Sequence, residues 1–203
     1  MKTDITEMFG VEFPIFAFSH CRDVVAAVTK AGGVGVLGAV AHSPNALEID
    51  LDWIEAEVGD KPFGVDLIVP AKYLGSDEGG VDMGQVRNMI PAAHRAYVDD
   101  ILERYDVPLL PDGDESGRQF GGADDKAAPF SADSQEPNLD IALAHKSALI
   151  VNALGPPPQH MIERCKEEGR KVGALAGKAQ HAERHVNAGV DFIIAQGSEA
   201  GGH

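Results

Sequence analysis

Apolar residues fall along this chain in short, nearly continuous runs separated by amphipathic stretches. The runs are Phe13 to Phe18, Val34 to Gly38, Phe63 to Val69, Ala148 to Leu154, Val172 to Ala176 and Val190 to Ala195. Runs of this length without alternation read as strands covered on both faces, as parallel strands are. Between them the period changes to that of a helix. Val24, Val25, Ala27 and Val28 stripe a helix expected from Arg22 to Lys30, closed by Gly32 and Gly33. Ser43 and Pro44 offer an N-cap and a first-turn proline to a helix carrying Leu47, Leu51 and Ile54 and ending near Gly59. Further helices are expected from Pro157 to Glu168 and from Ala179 to Ala188. Strand and helix in strict alternation predict βα units and a parallel sheet.

The strand count leaves two α/β architectures open. A doubly wound sheet could hold six strands, whereas a (β/α)8 barrel needs eight and typically about 250 residues. Read as a barrel, the chain would be truncated after strand six, and the 203-residue sequence would be a fragment of something longer. Residues 71–145 interrupt the pattern. From about Asp82 to Tyr105 the period is helical, broken at Pro91. From Pro111 to Pro137, seven acids face two basic side chains among Gly, Pro and Ser, which predicts a mobile surface loop, either a lid or an unstructured insertion.

Composition narrows the function classes. The chain is 44% hydrophobic and 24% charged, ordinary for a soluble globular protein. A net charge of −15 disfavours nucleic acid, whose phosphates need clustered Lys and Arg. No run approaches the roughly 20 apolar residues of a membrane span, and MKTDITEMFG lacks the basic and apolar regions of a secretory signal. Cys21 and Cys165 are far apart and unpatterned, so a reducing cytoplasm is expected.

The segment that carries chemistry is AQGSEAGGH, residues 195–203, directly after the most apolar run. In a barrel this is the C-terminal face of the sheet, where active sites are assembled. Its glycines let backbone N–H groups approach a ligand, and His203 supplies an imidazole able to take a proton from a weakly acidic carbon. Glu199 is either a pocket acid or an anchor for neighbouring N–H groups.

This loop resembles the signature loop of the nitronate monooxygenase family, once called 2-nitropropane dioxygenases. HAERHVNAG and VDFIIAQG before it, FPIFAFSHCRDVVAAVTKAGGVGVLGA at the start and FGVDLIVP at the third strand extend the likeness. The resemblance implies that residues 1–203 are part of an FMN-binding TIM barrel with an inserted segment at about 71–145. It implies flavin contacts from Ala17, Phe18, Ser19, Asp66, Gln196, Gly201 and Gly202, with His203 as the base acting on nitronates before reaction with O2. The family's phosphate site follows strands seven and eight. Two departures stand out. Ala17-Phe18-Ser19-His20 replaces a longer loop containing Pro-Met, and Asp66 stands where an Asn commonly meets the flavin. The same scaffold serves FMN- and NAD(P)H-dependent reductases of carbon–carbon double bonds, which remain open. So does a flavin-free barrel lyase or isomerase, or an inactive fragment. Expected partners are a small-molecule substrate and, as an option, a second copy of the chain.

Other motifs read more plainly. His20 and Cys21 adjoin the first strand's end and could line a pocket. His181 and His185 lie i, i+4 on one helix, where a solvated face is expected rather than a metal pair, and no metal centre is expected elsewhere. Gly32-Gly33-Val34-Gly35 lies on the wrong side of its βα unit for a phosphate cradle and reads as a tight turn. Pro156-Pro157-Pro158 stiffens a loop, and Cys165 reads as a small buried hydrophobe.

Overall fold

The computed structural model describes residues 2–69, 89–108 and 132–199. Helix α1 (Asp4–Phe9) is followed by β1 (Phe16–Ser19), α2 (Arg22–Lys30), β2 (Val34–Gly38), α3 (Pro44–Val58) and β3 (Gly64–Leu67). Then come α4 (Ala92–Arg104), α5 (Ala132–Ala144), β4 (Leu149–Asn152), α6 (Gln159–Glu167), β5 (Lys171–Ala176), α7 (Ala179–Ala188) and β6 (Phe192–Ala195). The six strands form one parallel sheet in the order β1-β2-β3-β4-β5-β6. A doubly wound sheet reverses its strand order at a switch point. This one never reverses, so each right-handed crossover advances the sheet one strand in the same direction and the sheet curls. The result is six strands of a (β/α)8-barrel wall.

Two cores sit on the two sides of that wall. On the outer side, Leu47, Leu51 and Ile54 of α3 and Met161, Ile162 and Cys165 of α6 pack on Leu37, Val65, Ile150 and Val172, with every one of these residues buried. On the inner side, Val34, Val36, Leu149 and Val151 meet Leu175 and Phe192. Strands β2, β3 and β4 are buried at every position, as their nearly continuous apolar runs require. The edge strands of the described sheet differ. Phe16, Phe18 and Ile194 are exposed, because they face a lumen that these six strands do not close.

Four sequence expectations change. First, α1 was not read from the apolar pattern, though its signal is a capping box: Thr6 N–H donates to Thr3 Oγ1 (3.2 Å) and Thr3 N–H to Thr6 Oγ1 (2.9 Å). Second, α5 begins at Ala132, inside the stretch expected to be loop as far as Pro137. Gln135, Asn138, Leu139 and Ala142 follow the i, i+3, i+4, i+7 spacing, and all are buried. Packing against α3 and β3 buries Leu139 and Leu143 as well. That burial stabilises by about 1.5–3 kcal/mol for each leucine, which offsets the roughly 3 kcal/mol cost of Pro137 inside the helix. Third, β1, β3, β4 and β6 span four residues each, shorter than their apolar runs. Fourth, His185 is 2% exposed instead of solvated, its Nε2 3.0 Å from the Leu175 carbonyl.

The helical pattern from Asp82 resumes as α4 only after Pro91, which stands at its N-cap. Residues 111–131 of the acidic loop expected from Pro111 to Pro137, and the start of that helical pattern, lie outside the described residues. Among the described residues, no helix is long and apolar enough to cross a membrane.

Candidate active site

The inner face of the sheet encloses a concavity of about 900 Å³. Side chains alternate along a strand, so every second residue points into it. Phe16 and Phe18 come from β1, Val36 from β2, Asp66 from β3, Val151 from β4, Leu175 from β5 and Ile194 from β6, followed by Gln196. Its N-terminal end is plugged by α1. Phe9 meets Phe16 (centroids 5.4 Å apart) and Phe192 (5.6 Å) edge-on. The opposite end is where the strands release their C-terminal loops, which is the side on which such barrels bind ligands.

Three of the expected site residues, Phe18, Asp66 and Gln196, line this one cavity from three different strands. Ala17 and Ser19 alternate away from it, and Ser19 Oγ instead accepts the Cys21 N–H at 3.0 Å. Gly201, Gly202 and His203 lie outside the described residues. His20 does not line the cavity. Its Nδ1 stands 3.0 Å from the Gly38 carbonyl, and because a carbonyl only accepts, Nδ1 carries the proton. Exposed Cys21 stands at the N-cap of α2.

Asp66 is the unusual group. It is 7% exposed, its Oδ1 has no hydrogen-bond partner among the described residues, and apolar walls surround it. Burial without a compensating donor disfavours the carboxylate and pushes its pKa up to about 7. An acid held near neutrality in a cleft is a recognised mark of a functional site.

The loops leaving β3 and β4 are tied by Asn152, a fully buried residue that sequence reasoning missed. Its Oδ1 accepts the Val69 N–H (2.8 Å), and its Nδ2 donates to the Leu154 (3.1 Å) and Gly155 (3.2 Å) carbonyls. A polar residue ending the apolar run Leu149 to Val151 was the available signal. The β2 loop is held similarly. His42 Nε2 lies 3.1 Å from Asp50 Oδ2, and Arg22 donates to Asp50 Oδ1 (2.9 Å) while stacking over Trp53 (4.9 Å).

A sheet curled in this order, with an acid and an amide at the strand ends of an apolar lumen, defines a (β/α)-barrel protein. More particularly, the chain belongs to the nitronate monooxygenase family, whose model matches residues 2–203. It is 53% identical over 203 residues to a Mycobacterium tuberculosis protein named "Putative monooxygenase Rv1533", covering all of this chain and 52% of the relative. A "Probable nitronate monooxygenase" of Staphylococcus saprophyticus is 28% identical over 207 residues, covering all of this chain and 51% of the relative. Among solved structures, nitroalkane oxidase from Streptomyces ansochromogenes superposes with a TM-score of 0.66 at 24% identity, over 99% of this chain and 50% of the other. FabK from Thermotoga maritima gives 0.63 at 21%, over 100% and 46%. These two likenesses speak for the barrel fold. The chain spans about half the length of the curated relatives it matches.

Proposed function

We propose that the protein carrying this chain is an FMN-dependent oxidoreductase that oxidises alkyl nitronates with O2, with His203 as its proton acceptor. One observation carries the reading: a family member's lumen presents Phe18, Asp66 and Gln196 together around an apolar cavity of about 900 Å³. That volume lies within the range of cofactor sites. Apolar walls suit a flat ring system, and the orphaned Asp66 oxygen suits its polar edge. No Lys or Arg lines the cavity among the described residues, so a phosphate would be held by other parts of the protein.

FMN, when bound, supplies the electron sink for oxidation. The residues of the chain have separate tasks. Phe18, Val151 and Leu175 exclude water from the ring. Gln196, at the end of β6, offers a donor and an acceptor at the mouth. The following glycines, Gly201 and Gly202, bring backbone N–H groups to the ligand. The His203 imidazole takes the proton from the carbon bearing a nitro group. Asp66 donates a hydrogen bond while it holds its proton and repels negative charge once it loses it. A reducing, cytoplasmic location, a small-molecule substrate and a homodimeric assembly belong to the same proposal.

Asp66 also favours a second reading. Where the family commonly has Asn, an acid disfavours an anionic reduced ring, and the rival function is an FMN- and NAD(P)H-dependent reductase of carbon–carbon double bonds. Anaerobic stopped-flow on the full-length protein separates the two. Bleaching of the flavin by a nitronate is expected, and bleaching by NADPH alone would reject the first reading. His203→Ala should lower kcat/KM for a neutral nitroalkane by roughly 10²–10⁴-fold. It should affect the preformed nitronate far less, because that substrate has already lost its proton. Protein that stays colourless after FMN addition would overturn both readings.

A further inference from the structure

On the outer wall, away from the lumen, α3 carries Glu48, Asp52 and Glu55 at i, i+4 and i+7, which places them on one stripe. His145, just past the end of α5, packs against that stripe with its side chain 8% exposed. Its Nδ1 lies 3.1 Å from Glu55 Oε1. A carboxylate only accepts, so Nδ1 donates to Glu55, which turns Nε2 towards Glu48 as the ring atom able to ligate a metal ion. Nε2 faces Glu48 Oε2 at 3.5 Å, longer than a good hydrogen bond. One donor atom each from Glu48, Asp52 and His145 lie within 4.8 Å of one another. We propose that His145 Nε2, Glu48 and Asp52 form a binding site for a divalent transition metal, Zn²⁺ by preference, with Glu55 as the group that orients the imidazole.

Three features separate this arrangement from a chance group of surface acids. The imidazole is buried and fixed: Arg170 Nη2 donates to the His145 carbonyl at 2.9 Å, and Glu55 Oε1 also accepts the Lys146 N–H at 2.5 Å. A carboxylate behind the ligating ring is the usual outer partner of a metal-bound histidine. No Lys or Arg pairs with Glu48 or Asp52 among the described residues, so the carboxylates gather charge that a divalent ion would neutralise. Zinc ligands at 2.0–2.2 Å stand roughly 3.3 Å from one another. Both acids are exposed, so rotation of their side chains closes the remaining gap. An imidazole with two carboxylates favours Zn²⁺, Co²⁺ or Mn²⁺ over Mg²⁺ and Ca²⁺. The ion would clamp α3 to the junction of α5 and β4, a stabilising role independent of the chemistry in the lumen. No local motif signals this grouping, because His145 stands 90 or more positions along the chain from its partners.

The test is calorimetric titration of chelator-treated full-length protein with ZnCl₂, beside thermal melting with and without the ion. One equivalent should bind, and the melting temperature of a full-length protein about twice as long as this chain should rise by roughly 3 °C at a hundredfold excess over Kd. The exposed pair Glu48→Gln and Asp52→Asn leaves the buried ring untouched and should weaken binding by roughly a hundredfold. Glu55→Gln should weaken it roughly 10–100-fold through loss of orientation. Absence of binding to the unaltered protein would overturn the proposal and leave His145 as an imidazolium paired with its acids. Binding that persists unchanged in the Glu48→Gln, Asp52→Asn protein would overturn it too, by placing the ion elsewhere.

Discussion

The rings of Phe16 and Phe192 stand 6.3 Å apart, centroid to centroid, although they belong to the first and last strands of the six-stranded sheet. In a flat sheet five strand spacings would separate them by about 24 Å. Their contact is therefore a direct measure of how far the sheet curls. Phe9 completes the cluster from below, so the helix that precedes the barrel also seals it. The helix seals the N-terminal end of the lumen, and Asp66 and Gln196 line it from the strand ends.

Closure needs room for the Phe192 ring, and Gly173 on the neighbouring strand provides it. A Cβ at Gly173 would stand 2.3 Å from Phe192 Cζ. Gly173→Ala should therefore destabilise the fold by about 1–3 kcal/mol, read as a lower urea midpoint. Adding Phe192→Leu should recover part of that loss, and the recovery in a double-mutant cycle isolates the steric term. Simple additivity of the two changes would show that the clash is not what limits position 173.

The raised pKa of Asp66 gives a pH signature with a definite sign. Below pH 3.8 both folded and unfolded chains hold the proton, and the group makes no difference. Between there and about pH 7 only the folded chain holds it, so stability falls as pH rises. Above pH 7 the folded chain carries a buried carboxylate at a cost on the order of 4 kcal/mol. Asp66→Asn removes this dependence. Measured without flavin, the variant should match the parent near pH 4 and exceed it increasingly up to about pH 7. A difference that is constant with pH would show that Asp66 is already paired.

Asn152 should prove costly to remove. Asn152→Ala strands the Val69 N–H and frees two carbonyls of the β4 loop. A loss of about 2–3 kcal/mol is expected, together with faster amide exchange at Val69 in native-state hydrogen exchange. Unchanged protection at Val69 would mean that another acceptor replaces the side chain.

The two thiols should react very differently. Cys21 is exposed, whereas Cys165 is fully buried in the outer core and burial pushes its pKa up to about 12. A maleimide at pH 7.5 should label Cys21 in the native protein and reach Cys165 only after denaturation. Labelling of Cys165 at the same rate would indicate that α6 opens from the sheet.

Much of this architecture is legible in the order of residues because its signals are local. Unbroken apolar runs mark Val34 to Gly38 and Leu149 to Val151 as strands buried on both sides. Ser43 and Pro44 mark the start of α3, and Gly189 the end of α7. The alternation of strand and helix excludes all-helical and all-β folds, and the motif at 195–203 fixes the family before any coordinates are known. Asp66 was visible as the wrong residue for its position, though not as an acid without a partner.

What the chain could not state is anything that depends on residues distant in sequence meeting in space. That the sheet curls instead of lying open was decided by the Phe16–Phe192 contact and by an unreversed strand order, and both exist only after six βα units have packed. The start of α5 was decided by burial of Leu139 and Leu143 against α3 and β3, which outweighs local proline and loop preferences. His185 looked like a surface polar and Asn152 carried no signal beyond its place in a strand, and both became buried tethers for the same reason. Local patterns carry propensity and period. Desolvation and long-range contact set protonation, burial and closure, and these are properties of the assembled barrel wall alone.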